Sequence, residues 1–184
     1  MKKLLFFIVL WVILNVCANA QEITLQHVMD KGVMFYPIGN DEIIMTIRTQ
    51  EEADTFWFLL NAYGNKKLGT NLSSLIEVVH LLSSPDGKYL AVLSVGEGHP
   101  ILEVVNLEKL RTEYVYQVLH EINPYPGVIN IDHWEGSTLI LESDIPLHLK
   151  KEDRETNPDP LLPSPQLFLL NITTGTITTD NSSH

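Results

Sequence analysis

The sequence predicts an all-β protein made of about three four-stranded antiparallel units, and three observations predict it. A turn signal, Pro85-Asp86-Gly87, stands between two runs rich in apolar and β-branched residues at 76–82 and 89–95, the pattern of two strands and a tight turn. The same order of strands and turns recurs three times along the chain. No stretch after residue 20 reads as a convincing amphipathic helix. Residues 103–116 have some helical propensity, but Val104-Val105 and Tyr114-Val115-Tyr116 flank a turn better than they fill a helix.

The first twenty residues stand apart from the fold. Lys2 and Lys3 precede an apolar run at 4–16, and Ala18-Asn19-Ala20 then gives a small-x-small cleavage pattern before Gln21, as in an export signal. The run is short of the roughly 20 residues a membrane-spanning helix needs. Cleavage is expected, with retention as an anchor the alternative. Cys17 is the only cysteine of the chain and lies in this segment behind Val16, where a lipoprotein signal would carry a small residue. The mature chain, 21–184, is therefore expected to hold no thiol, and disulfides, thiolate catalysis and cysteine metal sites are excluded. Export to the periplasm or the extracellular space is the expected location.

Charge narrows the function classes further. The chain carries 23 acidic residues and 12 Lys and Arg, a net charge of −11. Loss of Lys2 and Lys3 leaves 10 bases against the same 23 acids, a net of −13. Such a surface repels phosphate backbones, and beyond Lys150-Lys151 there is no basic run, so nucleic acid is not an expected partner. The acidity serves solubility first, and attraction of cations or basic partners second.

The elements follow in order. Residues 23–29 alternate as a strand, ended by Asp30-Lys31-Gly32. The first unit, about 33–70, has strands at 33–38, 43–47 and 56–61 and a short piece around 66–68, with turns at Gly39-Asn40-Asp41 and Gly64-Asn65. The second, about 76–118, places strands at 76–82, 89–95, 101–106 and 111–118, with a turn near Glu108-Lys109. The third, about 128–179, has strands at 128–131, 138–142, 167–171 and 176–179, with turns at Glu135-Gly136-Ser137 and Thr173-Thr174-Gly175. Asn61, Asn106 and Asn171 each end a third strand, where an Asn side chain bonds the backbone two residues on and starts the next turn. The interval from Asn106 to Asn171 exceeds that from Asn61 to Asn106 by 20 residues. The surplus lies in the Pro-rich, charged insertion 144–165, read as a surface loop.

The stretch Ser84-Pro85-Asp86-Gly87-Lys88-Tyr89-Leu90-Ala91-Val92, followed by a strand ending in Asn and a turn, resembles a blade of the TolB-like or WD-type β-propeller repeats. The match is good in the second unit, weaker in the third, where His133-Trp134-Glu135-Gly136 replaces Ser-Pro-Asp-Gly, and mainly positional in the first. The resemblance implies four-stranded antiparallel blades around an axis, used as binding scaffolds more often than as enzymes. Propellers have four to eight blades, so three units imply an incomplete propeller, or half of a ring completed by a second copy in a homodimer.

Chemistry-bearing patterns are sparse. Glu135-Gly136-Ser137-Thr138-Leu139 is not a nucleophile elbow, and Gly96-Glu97-Gly98 lacks the Lys-Ser/Thr and helix of a phosphate loop. His120-Glu121 and Asp132-His133 offer nitrogen and oxygen ligands without the spacing of a zinc motif. Trp57 and Trp134 read as packing aromatics. Asn71, Asn171 and Asn181 head glycosylation sequons, which matter only in a eukaryotic secretory route. No catalytic residue, metal site or cofactor is expected. In a four-stranded meander the loop between the second and third strands shares an end with the connection between units. Those loops, 49–54, 96–100 and 144–165, hold the candidate ligand-binding residues Glu51, Glu52, Asp54, Glu97, His99, Asp144 and His148, because binding groups concentrate on loops held by a rigid scaffold. The expected function is an exported, non-enzymatic module that binds a protein or a small molecule. The alternatives are a secreted hydrolase or lyase using loop acids, and a truncated propeller with no activity of its own.

Overall fold

The computed structural model describes residues 32–39, 41–48, 54–73, 77–96, 98–149 and 161–180. The export signal, the strand expected at 23–29, Asn40, Glu51, Glu52, Glu97, part of the insertion and the last residues fall outside them. Twelve strands form three four-stranded antiparallel sheets. Each sheet pairs its strands in chain order, which is the meander the repeat predicts.

Two compact units divide the chain, Met1–Asn71 and Leu72–His184. The first holds one sheet: β1 Val33–Gly39, β2 Glu42–Arg48, β3 Thr55–Asn61 and β4 Gly64–Thr70. Ile43, Met45 and Leu60 form a core on one face, joined by Val33, Phe35, Ile47 and Phe58. These residues meet because the register sets Met45 opposite both Phe35 and Phe58, and side chains two apart share a face. Trp57 lies fully buried on the other face.

The second unit holds two sheets. One comprises β5 Glu77–Ser83, β6 Tyr89–Gly96, β7 His99–Asn106 and β8 Val118–Ile122. The other comprises β9 Ile129–Glu135, β10 Thr138–Ser143, β11 Gln166–Asn171 and β12 Thr176–Thr179. The two sheets share one core, in which Ala91, Leu93, Leu102 and Val104 meet Ile131, Trp134, Leu139, Leu141, Phe168 and Leu170. Five consecutive residues of β6, from Leu90 to Ser94, are buried. A strand buried at successive positions is covered on both faces, as its unbroken apolar run implied. The outer strands β8 and β12 are exposed along most of their length.

One expected element is different. Residues 111–118 were expected as the fourth strand of the second unit, and no helix was expected in the region. Leu107–Thr112 is instead a short helix, α1, and the strand begins only at Val118. Asn106 caps it: its Oδ1 accepts from Lys109 N at 3.0 Å, supplying one of the donors a helix start leaves unpaired. Leu107 and Leu110, one turn apart, bury the inner side. The β-prone Tyr114-Val115-Tyr116 lies beyond the helix, where Tyr114 takes a left-handed φ of 59°. A three-residue spacing of two leucines is too short a periodic signal to outweigh β-branched neighbours in the sequence.

The insertion also differs from a purely solvated loop. Ile145 and Leu147 are buried, and Leu149 and Leu162 pack against the shared core. Its neck is closed by Leu162 N donating to Asp144 O at 2.6 Å.

Candidate functional site

The two ends of the second unit are built differently. At one end lies the turn joining β5 to β6, which the Pro-Asp-Gly signal marks. Ser84 Oγ donates to Asp86 Oδ1 at 2.7 Å and accepts from Tyr89 N at 3.0 Å, and Asp86 Oδ1 also accepts from Lys88 N at 3.1 Å. Gly87 takes a φ of 70°, which its missing side chain permits. Arg111 of α1 donates to Gly87 O at 2.6 Å, and Lys88 pairs with Asp86 at 3.2 Å. The Ser84 hydroxyl, with the Lys88 contacts beside it, holds the Asp86 carboxyl below its ordinary value. Nearby, Trp134 stacks on Tyr89 at 6.3 Å and donates from Nε1 to Leu82 O at 3.1 Å, joining the two sheets.

At the other end, the β6–β7 hairpin, the β8–β9 connection and the start of the β10–β11 loop come together. His99 meets Tyr125 edge to face, with ring centroids 4.3 Å apart. Tyr125 sits in the run Pro124-Tyr125-Pro126-Gly127, closed as a turn by Gly127 N donating to Pro124 O at 2.7 Å. Asp144 Oδ1 accepts from Val128 N at 2.7 Å, and Ser143 Oγ donates to Val128 O at 2.7 Å. Gly127 is fitted tightly here, since a Cβ on it would lie 2.4 Å from Asp144 Oδ1 and from Ile145 Cγ2.

Of the candidate binding residues, His99 and Asp144 are thus brought to one end with the connection between the sheets. His148 is exposed in the loop that leaves it. Asp54 belongs to the first unit, where its Oδ1 accepts from Asn71 Nδ2 at 2.7 Å, while Asn71 Oδ1 accepts from Thr55 N at 2.8 Å. Tyr125 and Val128 are exposed members of the site that sequence reasoning missed. An aromatic residue between two prolines ahead of a glycine was the available signal.

The remaining ionisable groups are placed elsewhere. His120 donates from Nε2 to Ile172 O at 2.7 Å. His133 lies between two carboxylates, with Nδ1 2.8 Å from Asp132 and Nε2 3.4 Å from Glu135. The hydrogen bond to Asp132, then that to Glu135, raises the imidazole above its ordinary value. The two carboxylates take opposite ring nitrogens and do not converge on one point. Among the described residues no group of three or more His, Cys, Asp or Glu is arranged to hold a metal ion. Glu103 on β7 is buried and accepts from Tyr116 Oη at 2.7 Å. Burial first, and the Glu103 charge second, push the Tyr116 hydroxyl well above its ordinary value. No helix among the described residues is long and apolar enough to cross a membrane.

No family model matches the chain, and no curated protein matches it. Similar architecture is found among solved structures. An uncharacterized protein of Listeria monocytogenes EGD-e superposes with a TM-score of 0.54 at 9% identity, over 83% of this chain and 41% of that one. The β-propeller domain of the Trilobed protease from Pyrococcus furiosus, described as having an open velcro topology, gives 0.50 at 12% identity, over 80% of this chain and 42% of that one. The chain thus spans less than half the length of either. Likeness at this identity speaks for the fold alone, and with three antiparallel meanders it establishes a nearly all-β protein of propeller-like blades.

Proposed function

We propose that this chain is an exported, non-catalytic binding module that presents its ligand surface at the end carrying His99, Tyr125, Val128 and Asp144. One observation carries the reading: connections from both sheets of the second unit meet there and leave Tyr125 and His99 exposed. The residues are held by a packed two-sheet scaffold, and a preorganised surface loses less freedom when it binds. Export rests on the basic, apolar and small-residue pattern of residues 1–20. The nature of the partner is a separate question, taken up below.

A photo-crosslinking residue placed at His99 or Tyr125 tests the proposal in living cells of the source organism. It is expected to trap a discrete partner that the same residue at Lys109, near the opposite end, does not. Equal trapping at both ends, or at neither, overturns it. Mass spectrometry of the mature protein checks the export reading, with an N-terminus at Gln21 expected.

A further inference from the structure

The end that carries His99 and Asp144 also carries strongly exposed apolar side chains: Tyr125 is 56% exposed, Val128 50% and Leu161 63%. They come from two separate segments, and both are fixed in place. The Tyr125 ring packs on His99, Val128 N is held by Asp144 Oδ1, and Leu162, next to Leu161, bonds Asp144 O. Asp144 therefore gathers the patch from its centre, and its side chain has a structural task as well as a charge.

Charge is divided between the ends of this unit. Lys88, Lys109 and Arg111 are its lysines and arginines among the described residues. All three belong to the turn end, on the Ser84–Tyr89 turn or on α1. The other end has only acids of this kind. Glu77 stands opposite Val95, one residue before the hairpin, and Glu121 lies next to the last residue of β8. Glu142 adjoins Ser143, which closes β10 before Asp144.

We propose that this patch docks a peptide segment or protein loop in which lysine or arginine residues alternate with apolar ones. The proposal rests on the reading of this end as a binding surface and supplies the chemical class of its partner. Apolar side chains of the partner cover Val128 and Leu161. Its cations meet the surrounding carboxylates and the face of the Tyr125 ring, which attracts a cation through its quadrupole. Complementary charge raises the encounter rate and disfavours acidic partners.

The test uses fluorescence anisotropy at physiological salt with a labelled peptide of Lys-Leu repeats, beside Glu-Leu and Lys-Ser repeats of equal length. Binding of the Lys-Leu peptide alone is expected, weakened roughly tenfold by Tyr125→Ala, the loss of one exposed cation–π contact with its apolar cover. Tyr63→Ala, in the first unit, is expected to leave it unchanged. Equal binding by wild type and Tyr125→Ala, equal binding of the Glu-Leu or Lys-Ser peptide, or no binding of any peptide overturns the proposal. Crosslinking at positions 99 and 125 separates the two levels of inference. A partner trapped there without a basic, apolar segment sinks the partner class and leaves the binding surface standing, whereas no trapped partner sinks both.

Discussion

The turn end and the connection end of the second unit are made by the same eight strands, yet they use their polar and apolar groups in opposite ways. At the turn end Ser84, Asp86, Lys88 and Arg111 bond one another or the turn backbone, and Trp134 carries the network into the core. At the connection end the backbone is also tied, through Asp144 and Ser143, but the side chains tied least are aromatic and aliphatic and face solvent. The difference teaches how one blade divides its work. An end whose polar groups are satisfied internally keeps the sheet in register, and an end whose fixed backbone projects apolar groups is available for contact.

Substitutions that break this contrast should rank by how deeply each residue enters the packing. Trp134→Ala should have the largest effect, lowering stability by about 3–5 kcal/mol through the lost ring and the cavity left between the sheets, read by urea denaturation. Trp134→Phe should retain part of the stacking and so cost less. Gly127→Ala comes next, at about 1–3 kcal/mol, the usual cost of forcing a methyl into a filled site. That variant should also disturb the Tyr125 surface, since its Cβ would press on Asp144. Ser84→Ala removes a donor to Asp86 and an acceptor for Tyr89 N, and should cost about 1–2 kcal/mol. Tyr125→Ala should change stability by less than about 0.5 kcal/mol, as an exposed site does, while abolishing contact with the partner. A large loss of stability from Tyr125→Ala would mean that the two ends do not differ in the manner described.

The smallest effects should appear as pH dependence, with opposite signs at two exposed sites. The lowered Asp86 carboxyl adds stability above the ordinary value of 3.8, and that contribution fades as pH falls through the folded value. Asp86→Asn should therefore flatten the acid limb of a stability profile. The raised His133 contributes fully below 6.5 and loses its contribution as pH rises through the folded value. His133→Gln should remove that slope. Solvent screening keeps both small.

Much of the fold was legible because it is written in local chemistry. The Pro-Asp-Gly turn and the unbroken apolar runs of the central strands need only neighbours in sequence to be read. The three asparagines were also readable in kind. Asn61 Oδ1 accepts from Tyr63 N, two residues on, whereas Asn106 and Asn171 accept from the N–H groups of Lys109 and Thr174, three residues on. That difference in reach accompanies a turn after Asn61 and a helix after Asn106. The site was legible only in outline. The meander places the hairpin, the connection and the long loop at one end, so His99 and Asp144 were selected for their position. Asp144 as the centre of a backbone knot, Leu147 and Leu149 in an apparently polar loop, and Tyr125 on His99 depend on partners distant in sequence, which no local pattern announces.

The bond between Tyr116 and Glu103 has a further consequence for observing the protein in motion. Tyr116 lies in the stretch between α1 and β8, and its phenol is held on a buried carboxylate. Ionising that phenol in place would set two negative charges side by side away from water, so in alkali the segment must first swing clear. The slow phase of phenolate absorbance after a rapid jump to high pH then serves as a clock for that opening. Tyr116→Phe should erase the phase and leave the faster titration of exposed tyrosines intact. The segment's opening rate becomes measurable by ultraviolet absorbance alone, with no label attached.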